Sequence, residues 1–272
     1  MAVSLIDGDG ILYRCGFAVE KTKYLVESPD GSHYFDTAKD CEAFLDASYP
    51  EGAERPPRWQ RKDLEPFENA ITLVEGVMRK IRDATGSEAY ELYLTPSVGN
   101  FRDYIASRAK YKGNREFTAR PSYYERLRRY FLDNGAVEAS GQEADDEIGI
   151  RATELKEWVI VSYDKDLRQV SGPHYNWVTG EMSVVSYPES RRLFWTQVLA
   201  GDPVDNVPGL PKVGPATAYK MLEGVKGDKG AWEVCVRAYE SHFGEGGYEL
   251  ALETARLVHV RRHRDEIWNP PT

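Results

Sequence analysis

The stretch "GDPVDNVPGLPKVGPATAYKML", residues 201–222, decides how this chain is read. Two aspartates, Asp202 and Asp205, open it, and four prolines and three glycines fall within residues 201–215. Proline fixes φ and deletes an N–H donor, while glycine lets another backbone or a ligand come close. A short helix is expected at about residues 215–222, with Gly214 before it and Pro215 in its first turn. The free N–H groups of such a start suit a phosphate. A stiff turn holding two helix ends can then touch one phosphodiester backbone without reading its sequence. A plain helix–loop–helix connection is the alternative, and it accounts less well for the glycines.

Around this stretch the composition is that of a globular protein. The chain has 272 residues, 41% of them hydrophobic and 29% charged, enough for one generous α/β domain or two small ones. No apolar run reaches the ~18 residues of a membrane span. The start, MAVSLIDGDG, lacks the basic and long apolar parts of a signal peptide, so a cytoplasmic setting is expected. Cys15, Cys41 and Cys235 are odd in number and widely spaced, which suggests neither a disulfide framework nor a zinc site. Net charge is −9, but it is polarised. Residues 101–130 hold nine Lys/Arg against three Asp/Glu, and residues 138–166 hold three against nine.

Apolar runs place strands at residues 2–6, 89–95 and 158–162, the first ending at Asp7. A hairpin is expected in "YLVESPDGSHYF", and a pair of strands at 174–178 and 182–185. Helical periodicity appears at 11–19, 67–81, 121–133, 144–155, 189–200, 231–243 and 247–260, with a further short helix within 37–48. Strands alternating with helices predict an α/β fold with a central, mainly parallel sheet and a helical section towards the C-terminal end.

Ligands in such sheets bind beyond the carboxyl ends of the strands. Asp7, Asp164 and Asp166 follow strands, Glu143, Asp145 and Asp146 open a helix, and Asp202 and Asp205 form a third group. On the helical wheel Asp145 flanks the buried stripe and Asp146 points further away. Helix capping explains the acidic helix start equally well, and turn chemistry explains Asp beside Pro and Asn. Eight carboxylates with no neighbouring basic run to pair them favour hard divalent ions, Mg²⁺ or Mn²⁺. "FRDYIASRAKYKGNREFTARPSYYERLRRY", residues 101–130, interleaves basic and aromatic residues, as a surface gripping phosphates and stacking bases would. Gly113 would let it bend between two short helical pieces.

Taken in order, "LIDGDG", "YKGNR", "EADDEIG", "SYDKDL" and "GDPVDNVPGLPKVGPATA" resemble the motifs of the 5′ nuclease, or flap endonuclease, superfamily, and especially short bacteriophage 5′–3′ exonucleases. The resemblance covers the chain from Asp7 to about Leu222, and each motif alone is weak. It implies a PIN-like nuclease core over residues 1–200 with a helical arch at about 96–130. A helix–three-turn–helix DNA-binding subdomain and C-terminal helices would follow over 201–272. Asp7, Glu143, Asp145 and Asp164 would hold the more catalytic metal cluster, with Asp166 adjacent, and Asp202 and Asp205 with Asp146 would complete the second. Tyr111, Lys112 and Arg115 match the catalytic basic region of the arch. Arg102, Lys110, Lys112, Arg115, Gly209, Lys212, Gly214, Thr217 and Lys220 would meet DNA. The turn would also bind potassium through backbone carbonyls of residues 207–213. One position departs. Pro96 stands where the family usually has an aspartate, and Asp9 or a water could substitute.

The implied activity is Mg²⁺- or Mn²⁺-dependent hydrolysis of phosphodiesters near DNA 5′ ends or flaps, and of RNA in RNA–DNA hybrids. The enzyme would act as a monomer away from membranes. Two other readings stay open: a DNA-binding scaffold of the same fold that has lost its chemistry, which Pro96 would favour, and a PIN-like RNA endonuclease, which generally lacks the "GLPKVGPATA" element.

Overall fold

A computed structural model describes residues 2–115 and 118–272. The chain divides into two compact units. One comprises Met1–Gly10, Val77–Ala119 and Phe131–Thr272, and the other Ile11–Gly76 and Arg120–Tyr130. Three of the four dividing points fall inside helices α1 (Gly8–Ala18), α3 (Phe67–Thr85) and α5 (Tyr124–Asp133), and the fourth, between residues 119 and 120, precedes α5. They do not follow a boundary at residue 200, because residues 201–272 lie wholly in the first unit.

The first unit holds a six-stranded sheet. Its strands are β1 (Val3–Asp7), β5 (Ala89–Leu94), β6 (Val137–Glu138), β7 (Trp158–Val161), β8 (Gly172–Asn176) and β9 (Glu181–Val185), in the order β6-β5-β1-β7-β8-β9. All pairings are parallel except β8 with β9, so the expected mainly parallel sheet is present. Strand β1 lies between two parallel neighbours and is largely apolar, as a strand covered on both faces tends to be; Leu5 and Ile6 are fully buried. Helix α1 begins at Gly8 rather than residue 11. A Cβ there would lie 2.3 Å from a Leu92 methyl and 2.9 Å from the Tyr93 carbonyl oxygen. Glycine therefore lets the chain turn into the helix against β5, placing Asp7 and Asp9 side by side.

Helix α6 (Ala144–Glu154) packs Ala144, Ile148 and Ala152 with Leu5 and Ile160. Beyond the sheet, α7 (Tyr187–Ala200), α8 (Pro215–Met221), α9 (Gly227–Phe243) and α10 (Gly247–Val258) enclose a second core around Phe194, Trp195, Trp232, Tyr239 and Trp268. Strands β10 (Gly201–Asp202) and β11 (Val207–Pro208) form a two-residue antiparallel bridge between α7 and α8. This bridge explains two of the glycines in residues 201–215. A Cβ on Gly209 would lie 2.1 Å from the carbonyl carbon of Ala200, and Gly201 has φ +71°. At those positions it is the chain's own backbone that comes close.

Residues 96–115 form no long helix. They carry α4 (Arg102–Ile105) and a single 3-10 turn at Gly113–Arg115, so the described residues show no helical arch before α5. The bend expected at Gly113 falls one residue earlier, where Lys112 takes φ +51°.

The second unit contains β2 (Glu20–Ser28), β3 (Gly31–Phe35) and β4 (Arg58–Leu64) in an antiparallel sheet of order β3-β2-β4. Helix α2 (Ala38–Ser48), N-capped by Thr37, packs Cys41 and Leu45 against Val26. The hairpin turns at Pro29 and Asp30, and Gly31, with φ +128°, opens β3 opposite Ser28. All three cysteines are buried and free. Among the described residues no helix is long and apolar enough to cross a membrane.

Candidate active site

The carboxyl ends of β1, β5 and β7 are laced together by two aspartates. Asp7 Oδ2 accepts from the Ser162 hydroxyl at 2.9 Å, and Asp7 Oδ1 accepts from the Asp9 amide at 3.2 Å. Asp9 Oδ2 in turn accepts from the Thr95 amide at 3.0 Å. A carboxylate from α1 thus stands at the end of β5, next to Pro96. The Ser162 hydroxyl also accepts from the Asp164 amide at 2.9 Å, and Asp164 Oδ1 accepts from the Asp166 amide at 2.8 Å.

These carboxyls repel one another. Burial, then the charges of Asp9 and Asp164, push Asp7 up to about 7, with the Ser162 bond opposing. Asp145 is held well above the usual carboxylate range, first by burial and then by Asp164, Asp7 and Glu143. Among the described residues no cation forms an ion pair with Asp7, Asp145 or Asp164.

The remaining carboxylates are paired, mostly by cations distant in sequence. Lys112 Nζ lies 2.6 Å from Glu143 Oε1 and 3.7 Å from Asp205 Oδ2. Arg115 pairs with Asp205 Oδ1 and donates through Nε to the Val204 carbonyl at 3.2 Å. The Lys112 amide donates to the Asp205 carbonyl at 2.9 Å. The segment 111–115 is thereby latched to the turn at 203–205, which sustains the left-handed Lys112, a conformation costing a non-glycine residue roughly 1–2 kcal/mol. Lys165 bridges Asp166 and Asp202. Sequence neighbourhood gave no sign of most of these pairs.

Two expected roles change. Asp146, taken as a ligand of the second metal, is 0% exposed. Its oxygens accept from Arg102 Nη1 at 2.6 Å, Arg102 Nη2 at 3.0 Å, the Arg261 amide at 3.0 Å and the Glu143 amide at 3.1 Å. Burial alone would raise its carboxyl, but Arg102 outweighs burial and keeps it below the ordinary value. No lone pair is left over for an ion. Arg102, expected at the DNA, is 3% exposed and also donates to the Leu257 and His259 carbonyls at 2.8 and 2.6 Å. The helical wheel misplaced Asp146 because α6 is covered on more than one side: a Cβ on Gly149 would lie 2.3 Å from the Arg261 carbonyl oxygen.

Tyr111 is 6% exposed and donates to Asp205 Oδ2 at 2.9 Å and Glu143 Oε2 at 3.2 Å. It positions carboxylates from inside the core. Glu143, Asp145, Asp166, Asp202 and Asp205 line one pocket, together with Tyr111 and Gln197. Sequence reasoning missed Asn100, which donates to Glu143 Oε1 at 2.8 Å, as well as Ser162, Lys165 and Gln197. Of these only Lys165, set between two aspartates in SYDKDL, carried a signal.

Lys212, Gly214, Thr217 and Lys220 are exposed around the start of α8, where Gly214 is the N-cap and makes no side-chain bond. Lys110 is exposed as well. Gly209 is packed against residues 200 and 201, so contact with DNA is not what its missing side chain serves.

As a donor set the carboxylates suit a hard divalent ion, since all are oxygen ligands. The repulsion that Asp7 and Asp145 feel from each other and from the exposed Asp164 is what such an ion would relieve. Among the described residues no three acidic, histidine or cysteine side chains already stand at metal-holding distance. Glu143, Asp145, Asp166, Asp202 and Asp205 line the pocket, several of them engaged by Lys112, Arg115 and Lys165.

The fold is that of bacteriophage T5 5′-exonuclease. A structure of that protein with bound zinc superposes at TM-score 0.58 over 95% of this chain and 89% of its own, at 13% identity. In sequence, the chain is 35% identical over 183 residues to DNA polymerase I of Bacillus caldotenax, covering 56% of this chain and 20% of the polymerase. It is 28% identical over 177 residues to the 5′-3′ exonuclease of Buchnera aphidicola subsp. Schizaphis graminum, covering 57% of this chain and 61% of that protein. The resemblance to 5′ nucleases drawn from the motifs therefore holds, while the chain spans less than two thirds of these relatives' length. No family model matches.

Proposed function

We propose that this protein is a divalent-metal-dependent 5′ nuclease, a 5′–3′ exonuclease and structure-specific endonuclease that hydrolyses phosphodiesters near DNA 5′ ends and RNA in RNA–DNA hybrids. The observation that carries the reading is the convergence of carboxylates from separate segments on one pocket whose paired cations are Lys112, Arg115 and Lys165. Asp7, Glu143, Asp145 and Asp164 would hold one Mg²⁺ or Mn²⁺, and Asp166, Asp202 and Asp205 a second. Bound there, hard divalent ions supply an activated water and offset charge at phosphorus.

The chain's own groups do the rest. Lys112 and Arg115 reach the pocket by bonds to Glu143 and Asp205, and can trade those carboxylates for phosphoryl oxygens, where they stabilise developing charge. Tyr111 and Asn100 keep Glu143 aimed. Lys110, Lys212, Gly214, Thr217 and Lys220 would hold the duplex backbone, positioning it without reading bases. Potassium at residues 207–213 would add a further backbone contact, with the Pro208 carbonyl already engaged by Arg108 at 2.7 Å. Asp9 at the end of β5 favours an active enzyme over an inert scaffold, since a carboxylate stands beside Pro96 after all.

A 5′-labelled duplex and a 5′-flap substrate test this directly. Cleavage in Mg²⁺ that EDTA abolishes, releasing 5′-phosphate products, is expected. Equal cleavage with and without EDTA, or binding without cleavage in any divalent ion, would refute it.

A further inference from the structure

Lys165 lies between Asp164 and Asp166 in the chain, but in space it bridges Asp166 and Asp202. Its Nζ is 2.8 Å from Asp166 Oδ1 and 2.7 Å from Asp202 Oδ2. Gln197 Nε2 donates to the same two oxygens, at 2.7 and 3.3 Å. Two anionic oxygens from distant segments are therefore drawn towards one point. Gln197, on α7, orients them without neutralising them. Among the described residues, the only ion pair either carboxylate makes is with Lys165. The Asp202 side chain is 5% exposed, whereas that of Lys165 is 57% exposed. The carboxylate is thus fixed, and the ammonium, on an open flexible stem, can leave without opening a cavity.

We propose that Lys165 is an internal counter-cation which a divalent ion must displace from the Asp166–Asp202 pair, so that it sets how tightly this half of the pocket takes metal. The inference rests on the metal reading above. An ammonium and a hard dication compete for the same two oxygens, and only the fraction of molecules with Lys165 withdrawn can accept the ion. Removing the ammonium removes that competition. Gln197 keeps the oxygens in place meanwhile.

The test is Mn²⁺ binding to the full chain by titration calorimetry, with Lys165→Met, Lys165→Arg and Asp202→Asn beside the wild type. The weaker Mn²⁺ site should tighten about fivefold in Lys165→Met, the scale of one exposed ion pair. Lys165→Arg, which keeps the cation, should stay near wild type, and Asp202→Asn should lose the weaker site. Unchanged or weaker binding in Lys165→Met, with two Mn²⁺ still bound by the wild type, would overturn this inference alone. Retention of both sites by Asp202→Asn would overturn it too. A wild-type chain that binds no Mn²⁺ would overturn the metal reading itself, and this inference with it.

Discussion

Adjacent aspartates on α6 should respond in opposite ways to the same substitution. Asp146 is fully buried, and every donor around it belongs to Arg102, Arg261 or Glu143. Asp146→Asn keeps the size but takes from the Arg102 guanidinium, 3% exposed, its two-bonded carboxylate partner, leaving Glu143 Oε2 at 4.0 Å as the nearest counter-charge. Breaking a buried pair from one side costs ~3–5 kcal/mol, a large part of the ~5–15 kcal/mol that holds a typical domain. In a chain of this size that lowers Tm by on the order of 10 °C. Asp145→Asn does the reverse. It removes a charge disfavoured by burial and by Asp164, Asp7 and Glu143, so metal-free stability should hold or rise by up to ~1 kcal/mol while nuclease activity disappears. Urea unfolding in EDTA, followed by circular dichroism, separates the two. A loss below ~1 kcal/mol for Asp146→Asn, or an equal loss for both variants, would refute the assignment of Asp146 to structure and Asp145 to the site.

Further outcomes follow from the same geometry. Asp7 keeps its proton to about 7 when folded, chiefly through burial and then through Asp9 and Asp164, against 3.8 as its ordinary value. The folded state therefore binds more protons between those values, and metal-free stability should fall as pH rises from about 4 to about 7, by at most ~4 kcal/mol. Asp7→Asn should flatten that decline in thermal melts with EDTA, and an unchanged slope would contradict it. Lys112→Ala should lower kcat more than it weakens duplex affinity, read by single-turnover cleavage and by anisotropy in Ca²⁺; equal losses would make Lys112 a general phosphate contact. Lys212→Ala and Lys220→Ala should each weaken DNA binding and reduce the salt slope of log K by about 0.9. A slope that does not move would remove them from the interface.

Much of the sheet could be read from the chain because parallel strands covered on both faces are nearly continuous apolar runs, as in VSLI and WVIV. Strand β4, RWQRKDL, escaped: almost all of it is exposed and polar, so no alternation marks it. The carboxylates could be read because strand ends and helix starts are local features. Their partners could not. Arg102 meets Asp146 across 44 positions and Arg115 meets Asp205 across 90, and nothing along one dimension announces such a pairing. The same limit explains why residues 101–130 read as an open basic strip, although Arg102 and Tyr111 lie inside. For the glycines of residues 201–215 the local signal was real and the partner different. Gly201 and Gly209 admit the chain's own backbone, while Gly214 has nothing within 4 Å of where a Cβ would stand.

Anomalous diffraction from crystals soaked in Mn²⁺ would address most directly whether these acids form a metal centre. Two peaks are expected, one among Asp7, Asp145 and Asp164 and one beside Asp166 and Asp202 with Lys165 moved aside. Crystals saturated with Mn²⁺ that show no peak in this pocket would contradict the account.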